Sequence, residues 1–381
     1  MSTMTFKIAK PDLAALLSFA APYFSAKNRP LCISIQDGNL NLFTSDRVDG
    51  GSVLVSAPLG KKIKDRDWFA VSGPNLRELV ALAEDGGMIE VSFDSKTSSI
   101  ALAFPNSRAE FRCIPNLTAP SAVKFGKPGA TIKGRDLNVL AILTEAASDD
   151  EARPTLAGVF IAPHKSELET AAADGFVLSY TSIESQDAKD AAGAVYSAAA
   201  INRAKRSLKP ADDEEIKLGF DKCGLTVTAQ RLGAAVTIHI PVVHTQFVDY
   251  KQILNISASL EIEIPTAELD RMIKRMKALE GNVYLQVTGG RFWYLIKNEN
   301  TGSAMESFDV GAETESPLMF FQLSTLKDVT KACVPNGKVT VVFPENDRQP
   351  LRIKGAATAL AMPLVCELKE SPFKKAQPAL M

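Results

Sequence analysis

Four stretches of the chain place apolar or near-apolar side chains at i, i+3, i+4 and i+7. They are Leu13, Leu16, Leu17 and Ala20; Leu76, Leu79, Val80 and Ala83; Leu137, Leu140, Ala141 and Thr144; and Leu269, Met272, Ile273 and Met276. Two thinner sets, Ile201 with Ala204 and Leu208, and Leu326 with Val329 and Cys333, keep i, i+3 and i+7. That spacing lines one face of a helix, so it predicts six short amphipathic helices. Between them the period falls to two. Asn39-Leu40-Asn41-Leu42-Phe43, Met88-Ile89-Glu90-Val91, Val236-Thr237-Ile238-His239-Ile240 and Val339-Thr340-Val341-Val342-Phe343 alternate or are rich in β-branched residues, and read as strands. Asp37-Gly38, Gly289-Gly290 and Asn336-Gly337 supply turns.

Successive helices begin about sixty residues apart, which points to tandem units. Taken in pairs, the units make three domains of similar size: 1–128, 129–254 and 255–381. Breaks fall at Lys127-Pro128-Gly129 and Leu254-Asn255-Ile256. The domain starts echo one another, with Phe6-Lys7-Ile8, Ala130-Thr131-Ile132 and Leu260-Glu261-Ile262 each leading into a helix. The expected class is α+β, each domain carrying two helices packed on β-sheets.

Charge sharpens this picture only locally. The 43 Lys and Arg against 44 Asp and Glu leave a formal net charge of -1, so any nucleic-acid surface must be a concentrated one. The helix faces turned away from the core are such places. The fifth helix carries Arg271, Lys274 and Arg275 beside Lys277; the fourth Arg203, Lys205, Arg206 and Lys209; the sixth Lys327 and Lys331. Lys27 and Arg29 follow the first helix, Lys133 and Arg135 precede the third, and the second offers only Arg77. Acidic residues gather instead in turns, Asp149-Asp150-Glu151 and Asp212-Asp213-Glu214-Glu215. On a single helix a basic face is ordinary solvated surface. Repeated across most of six helices, it predicts sequence-independent contact with duplex phosphates.

The five cysteines are isolated and without CxxC spacing, which suits reduced thiols inside the cell. The start MSTMTFKIAK carries no secretory signal, and Leu13 to Phe24, broken by Pro22, is too short to span a bilayer; a cytoplasmic protein without membrane contact is expected. No Walker loop, GxGxxG or GxSxG occurs, and His164, His239 and His244 form no metal-binding pattern. No catalytic residue, cofactor or metal is expected.

The segment Pro154-Thr155-Leu156-Ala157-Gly158-Val159-Phe160, followed by Thr170 and then Ala173-Asp174-Gly175-Phe176-Val177-Leu178, resembles the middle domain of the bacterial β sliding clamps, the DNA polymerase III β-subunit family. Gln246-Phe247-Val248-Asp249-Tyr250-Lys251-Gln252-Ile253-Leu254 is similar to that family's linker into its last domain, and Leu360-Ala361-Met362-Pro363-Leu364 to its ending. Asp37-Gly38, Leu40, Leu42, Thr44 and Asp46 resemble the matching turn and strand of the first domain.

The resemblance implies a head-to-tail homodimer whose six domains close a ring, with helices lining the hole and sheets outside. It implies a protein that encircles duplex DNA and tethers a replicative polymerase, without being an enzyme itself. DNA polymerase, clamp loader and repair proteins would insert short hydrophobic peptides into a pocket of Leu156, Ala173, Gly175, Leu178, Val248, Gln252, Ile253, Leu360, Met362, Pro363 and Leu364. Phe111 and Cys113 on one side and Met276 and Leu279 on the other match the dimer interface.

Ala173 stands where the family has Thr, Val248 where it has Pro and Gln252 where it has Arg. The loss of that Arg implies a partner peptide less dependent on an acidic or carbonyl contact. Val365 to Met381 continue past the family's ending; with Phe373, Lys374 and Lys375 they are expected either to fold back over the pocket or to be disordered. Two other classes remain open from the residues alone: a β-rich hydrolase or small-ligand enzyme, which needs a convergent polar site, and a basic DNA-binding protein that forms no ring.

Overall fold

All six amphipathic stretches form helices. In the computed structural model they are α1 (Lys10–Ala20), α2 (Gly73–Leu82), α3 (Gly134–Leu143), α4 (Ala198–Leu208), α5 (Thr266–Leu279) and α6 (Leu323–Lys331). The structure describes residues 4–24, 29–46, 50–59, 63, 65–84, 87–94, 97–115, 129–150, 152–188, 191–331, 333, 337–366, 368 and 370–373. The expected faces are the buried ones: Leu13, Leu16, Leu17 and Ala20 in α1, and Leu269, Met272, Ile273 and Met276 in α5. Starts follow local chemistry. Ser72 accepts a hydrogen bond from Asn75 N–H ahead of α2, and Asp136 accepts one from Lys133 N–H ahead of α3.

The class is α+β with antiparallel sheets, and the chain divides into two compact units. The first is Met1–Leu137, Ser185–Lys189 and Ala199–Val242; the second is Asn138–Glu184, Asp190–Ala198 and Val243–Met381. Of the break expected near residue 128, Lys127 and Pro128 lie outside the described residues; the one near residue 254 follows a short helical turn, Lys251–Ile253.

In the first unit a four-stranded sheet runs in the order Met4–Ala9, Met88–Asp94, Ser99–Ala103, Arg108–Arg112. A longer path runs Ala130–Lys133, Glu215–Phe220, Gly224–Arg231, Ala234–His244, Ser52–Pro58, Asn39–Ser45, Pro30–Gln36, Arg66–Ser72. α1 packs on α2, and Ser207 of α4 is hydrogen-bonded to the Phe19 carbonyl of α1. In the second unit the long path is Ala194–Ser197, Gly158–His164, Glu167–Ala173, Val177–Glu184, Thr358–Ala361, Leu351–Lys354, Lys338–Pro344, Ala258–Pro265. Its four-stranded sheet is ordered Gly302–Asp309, Arg291–Asn298, Asn282–Thr288, Met319–Phe321. α5 packs on α6, and α6 lies against the Val177–Glu184 and Thr358–Ala361 strands.

The Asp37-Gly38 and Gly289-Gly290 turns have both central residues at positive φ, 52° and 76° in one and 58° and 76° in the other. This is the hairpin geometry that the sequence pairs call for. Gly158 is required by close approach: a Cβ there would sit 2.1 Å from the Tyr196 carbonyl oxygen of the neighbouring strand.

Candidate functional site

The basic residues separate into paired and outward-facing sets. Arg29 and Arg203 close on the two oxygens of one carboxylate, Asp46, at 2.7 and 3.2 Å, and all three side chains are largely buried. Arg203 also lies over the Tyr23 ring at 5.9 Å. Arg203 thereby ties α4 to the segments that carry Arg29 and Asp46. Lys133 and Arg135 reach Glu215 and Asp213 of the acidic turn 212–215 at 3.7 and 3.4 Å, in pairs that stay open to water. Lys27 lies outside the described residues.

On α5, Arg271, Lys274 and Arg275 are all exposed on the face opposite Leu269, Met272, Ile273 and Met276. Arg271 is held by Glu268 and Arg275 by Glu306, a residue that also accepts from Tyr294. Burial and the bond to Glu306 push the Tyr294 phenol up to about 12. Arg206 is exposed on α4, while Lys205 is partly covered. Lys331 reaches Glu145 at 2.9 Å, and Lys327 is partly covered. The surface is therefore laced with carboxylates, which lowers its net charge but keeps the cations ordered on helix faces.

Of the residues matched to a dimer interface, Phe111 and Cys113 are half-buried at the outer strand Arg108–Arg112, which pairs only with Ser99–Ala103 among the described residues. Met276 is fully buried in the packing of α5, and Leu279 is half-buried at its end.

The second candidate site lies within the second unit. Leu156, Ala173, Leu178 and Leu360 form one buried cluster with Ala171 and Tyr250, and Tyr180, Phe247, Leu254 and Ile256 pack against it. Strand register makes this cluster, with Leu178 opposite both Ala173 and Leu360. Around that floor stand apolar side chains left to solvent: Phe176 is 52% exposed, Val248 42%, Ile253 42% and Met362 36%. Single exposed apolar residues are ordinary; four beside one buried apolar floor mark a contact surface.

Three devices set the rim. Asp174 Oδ1 accepts from the N–H groups of Phe176 and Val177, each at 2.7 Å, and Gly175 takes φ 104° between them. Arg153 braces that turn, donating to the Asp174 carbonyl at 2.8 Å and to Asp150 at 2.9 Å. The backbone bond to Ala152 and the Arg153 guanidinium hold the Asp150 carboxyl below its ordinary range. Met362 N–H donates to the Phe176 carbonyl at 2.8 Å, which carries the strand pairing past Ala361. On the other side Glu169 gathers Tyr250 (2.5 Å), Lys251 (2.9 Å) and His164 (3.5 Å), seating the 251–253 turn. Gln252 donates to Asp249 at 2.7 Å and so is engaged within its own turn.

Burial pulls the Glu169 carboxyl upward, but the bonds from Tyr250 and Lys251 outweigh it and the group lies below the ordinary range. A depressed carboxylate contributes stability that is complete above its unfolded pKa and is lost as pH falls through the folded one. The stability difference between wild type and Glu169→Gln is therefore expected to be complete above the carboxylate's unfolded pKa and to shrink as pH falls through its lower folded pKa. Thermal melts across that range check it; a difference that persists in acid would place the contribution elsewhere.

Leu156, Ala173, Leu178 and Leu360, which the family resemblance names among the pocket residues, stand together in one cluster, whereas the resemblance does not place Phe176 or Arg153 in that pocket. Their signal was local: an aromatic residue next to a turn glycine, and an arginine three residues after an aspartate. Beyond Pro363, Leu364 N–H donates to the Phe320 carbonyl at 2.7 Å, and Phe373 is buried against Trp293. Lys374 and Lys375 lie outside the described residues.

Among the described residues no three His, Cys, Asp or Glu side chains stand close enough to hold a metal ion, and no helix is long and apolar enough to cross a membrane. No protein-family model and no curated protein matches the sequence. Solved structures do match. A DnaN sliding clamp (DNA polymerase III subunit beta) from Pseudomonas aeruginosa bound to griselimycin is 16% identical, covering 96% of this chain and 100% of its own, with a TM-score of 0.81. The fold is that of a sliding clamp. The DNA polymerase III beta subunit from Thermotoga maritima is 18% identical over 95% of this chain and 100% of its own, with a TM-score of 0.78. The Bartonella birtlesii DnaN clamp, also bound to griselimycin, is 16% identical over 96% and 100%, with a TM-score of 0.79.

Proposed function

We propose that this protein is a DNA sliding clamp: two copies close head to tail into a ring around duplex DNA and tether a replicative polymerase and other replication or repair proteins. The agreement of the whole chain with whole clamps, end to end, carries this reading. The protein would catalyse nothing itself; nucleotidyl transfer would belong to its polymerase partner, in the cytoplasm. Three clamp domains, 1–128, 129–254 and 255–381, would each contribute two helices to the lining of the hole.

Phosphate contact would come from Arg206, Arg271, Lys274, Arg275 and Lys331 on exposed faces, with Lys133, Arg135, Lys205 and Lys327 at their margins. Arg29 and Arg203 would add to the positive field of the first unit, while Lys27 lies outside the described residues. Such contacts are sequence-blind and weak one by one, which allows sliding. The apolar rim over Leu156, Leu178 and Leu360 would take short hydrophobic peptides of the polymerase and the clamp loader, with Val248, Ile253, Met362, Pro363 and Leu364 as walls and Gly175 allowing close approach.

Two outer strands support closure. Arg108–Arg112 ends one four-stranded sheet and Gly302–Asp309 ends the other. The first exposes Arg108 and Arg112, and the second exposes Asp309 and carries Glu306, so opposite charges would meet if the strand of one copy paired with that of the next. Sedimentation equilibrium is expected to give twice the chain mass. A monomer mass at every concentration tested would overturn the ring.

A further inference from the structure

Strand Arg291–Asn298 contains Phe292-Trp293-Tyr294-Leu295-Ile296 with no charged break, and Asn282–Thr288 contains Val283-Tyr284-Leu285-Gln286-Val287. Such runs require cover on both faces of a sheet. One face, with Val283, Leu285, Val287, Phe292 and Ile296, is fully buried. The other carries Tyr284, Gln286, Trp293, Leu295 and Phe320 in one register, Tyr284 lying opposite both Leu295 and Phe320, and Gln286 opposite Trp293. The cover on this second face is a segment for which the clamp fold gave no role. Phe373 is 0% exposed and stacks on Trp293, ring centroids 5.8 Å apart, with Tyr284 completing the buried cluster. The Ser371 hydroxyl is bonded to the buried side chain of Gln286, and Phe373 N–H donates to Ser371 Oγ at 3.3 Å.

The same chain leads back to the apolar rim through two backbone ties. Leu364 N–H donates to Phe320, the residue whose ring stacks on Tyr284 at 4.5 Å, and Met362 N–H donates to Phe176. We propose that Phe373 is a positioning residue for the peptide site. Its burial on Trp293 holds Leu364 at Phe320 and so fixes the wall made by Met362, Pro363 and Leu364. A segment held only at its strand end frays, and a loose wall must be ordered each time a peptide binds. The role rests on the peptide-site reading above.

The test uses the full chain, its Phe373→Ala and Phe373→Leu variants, and a chain truncated after Leu368. Hydrogen exchange is read at Met362 and Leu364, and affinity is read with a fluorescein-labelled hydrophobic peptide from a bacterial replicative polymerase. In Phe373→Ala and in the truncated chain, exchange at Leu364 is expected to be at least about tenfold faster and peptide affinity roughly tenfold weaker. Phe373→Leu, which keeps an apolar anchor, is expected to restore both. Unchanged exchange at Leu364 overturns the proposal, as does wild-type affinity in Phe373→Ala. Failure of the wild-type chain itself to bind the peptide removes the peptide site and the positioning role together, whereas wild-type binding with an unaltered Phe373→Ala variant removes the positioning role alone.

Discussion

Reversing Arg271, Lys274 and Arg275 to Glu is expected to weaken binding to duplex DNA by roughly 10²-fold at 0.1 M salt, and to lower the salt slope by about one for each phosphate no longer neutralised. The three side chains lie on one exposed face of α5, away from the packed residues Leu269, Met272, Ile273 and Met276, so the helix itself should survive. Two of them are already engaged with Glu268 and Glu306, and reversal there would set carboxylate against carboxylate. The neutral Arg271→Gln, Lys274→Gln, Arg275→Gln triple variant separates the effects: it is expected to keep most of the drop in DNA affinity while melting close to wild type. Fluorescence anisotropy with a labelled duplex across a salt series makes the measurement. Affinity and salt slope equal to wild type in both triple variants would move the DNA surface off α5.

Met362→Ala and Phe176→Ala are each expected to weaken binding of the polymerase-derived peptide by tenfold or more, a cost of at least about 1.4 kcal/mol each. The choice of residues follows from their exposure. Leu178 and Leu360 form the floor, and truncating either removes core packing at a cost of roughly 2–5 kcal/mol of stability, so a weakened affinity there would report damage to the fold. Met362 and Phe176 stand in solvent above that floor and are joined through their backbones. Their side chains can be removed with little change in stability, and calorimetric titration then reads the site alone. Wild-type affinity in both variants would place peptide binding elsewhere.

Helices were legible because a helix on a sheet buries one face, and α1 and α5 bury the very positions whose spacing announced them. The apolar floor was legible only through likeness to a family, since nothing in the spacing of Leu156, Leu178 and Leu360 brings residues so far apart together; strand register does that. The exposed rim was half seen. Val248, Ile253 and Met362 came with the resemblance, while Phe176 and Arg153 did not. The outward face of α5 followed from its helical period, whereas the fate of Arg29 and Arg203 was not legible. Arg29 and Arg203 look like surface charge in sequence, yet they meet at Asp46 through pairing that no local pattern encodes. Met276, matched to an interface, follows its helical period into the interior instead. The place of Phe373 had a readable clue, because two adjacent strands, one unbroken in apolar and aromatic residues and the other interrupted only by Gln286, demand a second cover.

The most direct measurement of the central claim is retention on DNA of different topology. The chain is loaded onto nicked circular plasmid with a bacterial clamp loader and ATP, then passed through gel filtration at about 0.5 M salt, where the Debye length is near 4 Å and phosphate contacts are screened. A closed ring predicts that the protein stays with the circle and leaves once a restriction enzyme linearises it. Dissociation from the intact circle at that salt, or equal retention on circular and linear DNA, would contradict a ring that holds DNA by topology.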